Sequence, residues 1–144
     1  MDAEETLRRV PLFEGLEPKH LRSLAKWTTT RSYQPNQVIV TQGQIGLGLY
    51  CIQSGRVRVT QNTAAGGSRE VRSMGPGESF GELSLLSDQP RSATVSAIEP
   101  TTAVLLDKSQ FLAEMRTHPE IALSILPVVV RWLQEADRRI AELS

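Results

Sequence analysis

The spacing of apolar side chains divides the chain into three parts. Residues 3–9 predict a short helix, and a second helix is expected from Pro18 through Trp27, because proline suits the first turn of a helix. Residues 28–107 instead form short β-prone runs between turn residues, and helical spacing returns from residue 108 onward.

The β-prone runs are short and evenly spaced, which is typical of a sandwich or jelly roll. They are Thr28–Tyr33, Val38–Thr41, Leu47–Gln53, Arg56–Gln61, Arg69–Met74, Ser92–Ile98 and Thr101–Asp107. The pattern predicts a mainly β fold with flanking helices, a double-stranded β-helix (jelly roll) with N-terminal and C-terminal helices. With 144 residues the chain has the size of one domain. We therefore expect a single domain over residues 1–144, with helices in 1–27, a β-roll in 28–107 and C-terminal helices in 108–144.

The longest predicted helix begins near Pro119 and carries apolar residues at spacings of three and four. Pro127 falls inside it. Proline removes one backbone hydrogen bond and clashes with the preceding turn, at a cost of about 3 kcal/mol. A kink or break is therefore expected at Pro127.

Candidate chemistry is concentrated in residues 80–95. Gly81 permits a tight turn, and residues 82–86 can form one helical turn whose first N–H groups lack internal partners and suit an anion. Arg91 follows a short turn, and its planar guanidinium suits a bidentate grip on a phosphate. Glu82 can accept a hydrogen bond from a sugar hydroxyl. Together these groups predict a site for a small phosphorylated sugar with one negative charge.

A plainer interpretation stands beside this one. Glu82 and Arg91 can form a surface ion pair, which contributes little, and Gly81 can belong to an ordinary turn. The apolar framing from Phe80 to Val95 favours a partly enclosed pocket instead.

The segment Phe80-Gly81-Glu82-Leu83-Ser84-Leu85 followed by Pro90-Arg91-Ser92-Ala93-Thr94-Val95 resembles the phosphate-binding cassette of cyclic nucleotide-binding domains. Such domains occur in protein kinase A regulatory subunits, catabolite-activator-type regulators and cyclic-nucleotide-gated channels. The resemblance extends to the N-terminal run from Val10 to Leu16 and to the stretch from Gly43 to Val57. Gln44 and Leu47 depart from it, since the family often has an acidic residue in that loop.

The resemblance implies a module that binds cyclic nucleotide as a ligand-controlled switch, with cAMP expected in preference to cGMP. Arg91 would neutralise the cyclic phosphate, Glu82 would hold the ribose 2′-hydroxyl, and backbone amides near Leu83, Ser84 and Ser92 would complete the phosphate seat. The expected ligand-binding residues are Gly81, Glu82, Leu83, Ser84, Arg91, Ser92, Ala93, Val59 and Val71. Leu126, Val129, Val130 and Leu133 are candidates for contact with the base, for core packing or for a dimer seam. The C-terminal helix is expected to move on binding and is a candidate homodimer contact.

Composition adds constraints on compartment and partners. Sixteen basic and sixteen acidic residues cancel, so bulk charge favours neither nucleic acid nor an anionic membrane. The single cysteine, Cys51, lies in an apolar run and fits a buried thiol in a reducing compartment. No apolar run approaches the roughly 20 residues of a membrane span, and the acidic N-terminus lacks a signal-peptide core. A cytoplasmic protein is the simplest interpretation.

Three alternatives differ in their sequence requirements. A metal-dependent cupin-like enzyme needs clustered histidines, whereas His20 and His118 lie outside the predicted roll and His20 is expected to be solvated. No catalysis, metal or cofactor is therefore expected. A regulator of the catabolite-activator type would add a DNA-binding helix-turn-helix, which would begin where this sequence ends, so no nucleic-acid contact is expected from the chain itself. A degenerate module would be expected to lose Glu82 and Arg91, and both are present.

Overall fold

Runs rich in β-branched residues form eight strands, which build two antiparallel sheets in a computed structural model that describes residues 2–143. The strands are β1 Thr28–Tyr33, β2 Val38–Val40, β3 Gly48–Ser54, β4 Val57–Asn62, β5 Ser68–Met74, β6 Ser79–Phe80, β7 Thr94–Ala97 and β8 Thr101–Asp107. One sheet has the order β1-β8-β3-β6 and the other β2-β7-β4-β5. The predicted fold class, a mainly β jelly roll with flanking helices, is confirmed.

Helices flank the two sheets at both ends of the described chain. They are α1 Ala3–Arg8, α2 Pro18–Ala25, α3 Lys108–Thr117 and α4 Glu120–Leu143, with 3-10 turns at Pro11–Phe13 and Glu82–Leu85. Helix α2 begins at Pro18, as the sequence predicts. Residues 1 and 144 of the predicted domain lie outside the described range.

Helix α4 continues through Pro127, so the expected break does not occur. Pro127 lies on the solvent side of the helix, as does Leu123, whose carbonyl lacks its usual donor and which is 68% exposed. On the opposite side Ile121, Ile125 and Val128 are all buried. Buried residues that precede and follow Pro127 in the sequence therefore hold the helix together.

Two apolar clusters hold the elements in place. The first joins the helices to the outer side of the β3–β8 sheet, with Phe13 and Phe111 stacked at a centroid distance of 5.9 Å. The second fills the interior of the roll and consists of Ile52, Val57, Val59, Met74, Phe80 and Val95. Leu85 belongs to the first cluster and Phe80 to the second, so the segment between them is fixed at both ends.

The prediction that His20 is solvated is wrong. His20 is only 3% exposed because the start of α4 covers it, with Glu120 Oε1 at 3.5 Å from its Nε2 and the His118 ring 5.5 Å away. The apolar pattern of α2 alone gave no sign of this contact, since it depends on a helix about 100 residues further along the chain.

Strands β6 and β7 differ from their sequence expectations. Strand β6 has only two residues, which pair with Tyr50 and Cys51, and a pair this short leaves no periodic signal. Strand β7 begins at Thr94 rather than at Ser92. The residues before it turn toward the cavity described below.

The burial of Cys51 can be tested through the pH dependence of stability. Burial raises the pKa of its thiol to about 12, and the charge of Glu82 acts in the same direction. The unfolded thiol ionises near about pH 8.5, so its stabilising share is complete below that pH and is lost as pH rises toward 12. Urea unfolding should show a steeper loss of stability above about pH 9 for the wild type than for Cys51→Ala. Parallel pH profiles would contradict the burial of this thiol.

Candidate functional site

A cavity of about 420 Å³ opens between the segment 81–93 and the inner face of the β2-β7-β4-β5 sheet. It falls in the size range of small-molecule sites. Its lining consists of Val40, Val59, Arg72, Met74, Phe80, Gly81, Glu82, Leu83, Ser84, Ser87, Gln89, Pro90, Arg91, Ser92, Ala93 and Val95. The structure therefore brings together every expected site residue except Val71.

Gly81 begins the wall of this cavity at a position where a side chain does not fit. Its φ angle is 88°, in the left-handed region that favours glycine, and an added Cβ would lie 2.7 Å from the carbonyl oxygen of Gly48. The 3-10 turn Glu82–Leu85 follows directly. The predicted single helical turn is thus present, in its tighter 3-10 form.

Arg91 is a buried cation that points into the same space. It is 9% exposed, and its Nη2 donates to the Gly48 carbonyl at 2.9 Å. Its guanidinium carbon lies 5.8 Å from the centroid of the Tyr50 ring, which is itself stacked on Phe80. The Nε–H of Arg91 is buried without an acceptor among the described residues. A buried donor of this kind is costly unless an acceptor completes it.

The electrostatics of the cavity are unbalanced in favour of an anion at Arg91. Burial lowers the pKa of the Arg91 guanidinium, while Tyr50 and Glu82 raise it. The guanidinium nevertheless stays charged at neutral pH. Within residues 2–143, Glu82 lines the cavity without an ion pair or hydrogen bond to Arg91. The surface ion pair considered above is therefore not what these two residues form.

Some backbone N–H groups of the cavity-lining residues already have a hydrogen-bond acceptor, whereas others have none. The Ser84 N–H donates to the Gly81 carbonyl at 2.9 Å, so this expected donor is already occupied. In the described part of the chain, the N–H groups of Leu83 and Ser92 have no acceptor. Two residues with free amides and one buried guanidinium therefore line the same cavity.

The loop before β3 fixes the backbone of Arg91. The Arg91 N–H donates to the Gln44 carbonyl at 2.7 Å, and the Gly43 N–H donates to the Arg91 carbonyl at 2.9 Å. An added Cβ at Gly46 would lie 2.6 Å from Arg91 Nε. The departure at Gln44 leaves this contact intact, because it uses the backbone rather than the side chain.

Val59 and Ala93 line the cavity, but Val71 does not, which corrects the expectation for that residue. The register between β4 and β5 slips after Val59, which pairs with Arg72, while Thr60 pairs with Glu70. Val71 is left as the extra residue of the bulge and is 47% exposed. Arg72 lines the cavity instead. It lies two positions from Met74 on the same strand, so the period-two alternation of a strand could have predicted that both side chains share one face.

The α4 candidates for base contact all lie away from the cavity lining. Val129 packs against the helical core, and Leu126, Val130 and Leu133 are 55%, 48% and 62% exposed. In this conformation, the side of the cavity away from the sheet is therefore not covered by α4.

Comparison with known proteins identifies the class. The sequence profile of the cyclic nucleotide-binding domain family matches residues 30–118, which is more than half of the chain. The cyclic AMP receptor protein of Thermus thermophilus is 37% identical over 134 residues, covering 93% of this chain and 62% of that protein. The cAMP-dependent protein kinase regulatory subunit of Dictyostelium discoideum is 39% identical over 111 residues, covering 75% of this chain and 34% of that protein. The chain therefore belongs to the cyclic nucleotide-binding domain family.

Solved structures agree with this assignment. The N-terminal domain of a transcriptional regulator from Streptomyces coelicolor A3(2) superimposes with a TM-score of 0.85 at 27% identity, covering 94% of both chains. The catabolite activator protein of Thermus thermophilus gives a TM-score of 0.74 at 36% identity, over 92% of this chain and 62% of that one.

The relatives place this domain in proteins with different outputs. The chain spans 62% of the length of the first matched relatives, which are regulators. An acetyltransferase of Mycolicibacterium smegmatis also matches, at 37% identity over 105 residues, covering 73% of this chain and 31% of that protein. Among residues 2–143, no helix is long and apolar enough to cross a membrane.

Proposed function

We propose that this domain binds cAMP in the 420 Å³ cavity and acts as a sensory module that changes conformation when the ligand is bound. The observation that carries the proposal is Arg91, a buried cation that lines the cavity and whose Nε–H has no acceptor among residues 2–143. A cyclic phosphate would supply one negative charge and several acceptor oxygens to donors of this kind. The domain itself performs no catalysis in this proposal, and its buried thiol fits a cytoplasmic setting.

Arg91 provides the first test. Removing a charge-assisted partner from an enclosed site costs roughly 2–5 kcal/mol. Arg91→Ala should therefore weaken cAMP binding in calorimetry by about 30-fold to several thousand-fold, at about 1.4 kcal/mol per decade. Arg58→Ala is the control, because it removes an arginine from the adjacent strand β4 that pairs with Glu70 at the surface. A folded Arg91→Ala protein with wild-type affinity would refute this site.

Glu82 provides a second, independent test. Its carboxylate lines the cavity and makes no hydrogen bond or ion pair among residues 2–143, and we propose that it accepts a hydrogen bond from the ribose 2′-hydroxyl. The 2′-deoxy analogue should bind the wild type more weakly than cAMP, by about tenfold. In Glu82→Ala the two ligands should bind almost equally. Equal binding to the wild type would remove this role from Glu82.

The choice of base depends on a residue that the sequence analysis did not include. Arg72 lines the cavity and its side chain makes no hydrogen bond or ion pair within the described residues, whereas its neighbour on β5, Glu70, pairs with Arg58. A guanidinium can donate two hydrogen bonds to guanine O6 and N7, whereas adenine offers an acceptor beside a donor. Arg72 is therefore the specific observation that favours cGMP as a second ligand.

We retain cAMP as the preferred ligand, and we expect Arg72 to reduce the difference in affinity between cAMP and cGMP. Competition between cAMP and cGMP should show tighter binding of cAMP to the wild type. In Arg72→Leu the affinity for cAMP relative to cGMP should rise by about tenfold, because a bidentate contact to guanine is lost. Tighter binding of cGMP to the wild type would overturn the choice of cAMP, and an unchanged ratio in Arg72→Leu would exclude Arg72 from base recognition.

The mobile element in this proposal is α4. It carries three exposed apolar residues, Leu126, Val130 and Leu133. The cavity lining also includes an exposed apolar residue, Leu83, which is 59% exposed. Movement of α4 over a bound base would bury both sets, or the same stripe would form a homodimer contact. A ligand shifts such an equilibrium only if it binds one state more tightly.

Amide hydrogen exchange tests this movement. Adding cAMP should change protection in residues 120–140 as well as in residues 80–95. Val129 and Trp132 pack against the helical core, and Arg131 pairs with Glu14, so these contacts must break or shift if the helix moves. Protection confined to residues 80–95 would mean that α4 does not respond.

A second candidate for the whole protein is a transcriptional regulator in which this domain is the sensing half. The supporting observation is the match to CRP-like cAMP-activated global transcriptional regulators, of which the chain spans 62%. In that arrangement, DNA contact would belong to a segment outside this sequence. Binding of cAMP to the domain is common to both candidates.

A further inference from the structure

The turn that follows the 3-10 helix forms part of the cavity wall without belonging to a helix or strand. Ser87, Gln89 and Pro90 line the cavity, and residues 87–89 carry no regular backbone hydrogen bonding. Since this turn forms part of the cavity wall, the contacts that hold it affect the shape of the cavity.

A contact from outside the segment comes from Lys108. Its Nζ donates to the carbonyl oxygen of Ser87 at 2.7 Å and forms an ion pair with Asp88. The Lys108 side chain is only 15% exposed, whereas Asp88 is 89% exposed. Partial burial of a lysine ammonium carries a cost, which these two partners offset.

The backbone of Lys108 is fixed as well. It is the first residue of α3, whose N-cap Asp107 accepts from Ser109 N–H at 2.8 Å. The Lys108 N–H donates to the Leu47 carbonyl at 2.8 Å, in the loop that also carries Gly46 beside Arg91. Lys108 therefore connects the cavity turn, the loop before β3 and the first turn of α3.

We propose that Lys108 is a positioning residue for the nucleotide site, which holds the turn at Ser87–Asp88 in place although it does not line the cavity itself. The proposal rests on the proposed binding of cyclic nucleotide in this cavity. It accounts for a nearly buried lysine whose ammonium lies against a backbone carbonyl of the cavity wall. A surface ion pair alone would leave both side chains exposed.

The test compares Lys108→Met, which keeps the stem and removes the ammonium, with Lys108→Arg and with the control Lys26→Met. Lys26 is exposed at the end of α2 and has no side-chain partner within residues 2–143. We expect Lys108→Met to weaken cAMP binding in calorimetry by about tenfold, since one charge-assisted contact to the wall is lost. Lys108→Arg should recover most of this affinity, and Lys26→Met should match the wild type.

Hydrogen exchange of the protein without nucleotide gives a readout that does not depend on binding. Lys108→Met should speed exchange in residues 86–92 while leaving β8 and β3 as in the wild type. Wild-type affinity together with wild-type exchange in that turn would overturn the proposal. Faster exchange spread evenly over the chain would also overturn it, because it would indicate a purely structural role. If the wild type binds neither cAMP nor cGMP, the proposed function fails, and the exchange experiment alone decides whether Lys108 holds the turn.

Discussion

The site depends on keeping one arginine charged and almost without water. The guanidinium of Arg91 is 9% exposed, and the protein satisfies it only in part, through the Gly48 carbonyl and the face of Tyr50. Its Nε–H is left without an acceptor in the described chain. Much of the surrounding architecture follows from this demand: Gly46 and Gly81 lack side chains where the arginine approaches, and two apolar clusters hold the segment on either side.

The fold separates rigid from exposed parts in a way that suits a sensor. Part of the cavity lining lies on strands of the roll, and residues 81–84 lie between Phe80 and Leu85, which belong to the two apolar clusters. Helix α4 is different, since its inner face packs on the helical core while an apolar stripe on its outer face is left exposed. The proposed movement of α4 would bury this apolar stripe, and a ligand favours such a movement only if it binds the moved state more tightly.

The two arginines that line the cavity are held in position by different parts of the fold. Arg91 is held by backbone contacts from the loop before β3, so its position is independent of the side chains at Gln44 and Leu47, where the sequence departs from the family pattern. Arg72 faces the cavity because side chains alternate along β5, so that Arg72 lies on the same face as Met74 and pairs with Val59, while the bulge at Val71 lies beyond this pair. Lys108 adds a third cation outside the cavity, which acts on its wall rather than on its contents.

The sequence by itself determined the jelly roll, the flanking helices and the position of the site, because strand alternation, turn residues and the segment from Phe80 to Val95 are local patterns. It also predicted the roles of glycine and arginine in that segment from chemistry that does not depend on distant contacts. Tertiary structure alone decided the rest. The burial of His20 under α4, the continuity of α4 through Pro127 and the contact of Lys108 with Ser87 all arise from pairing between segments far apart in sequence. Such pairing is set by packing and register, for which a single sequence carries no periodic signal.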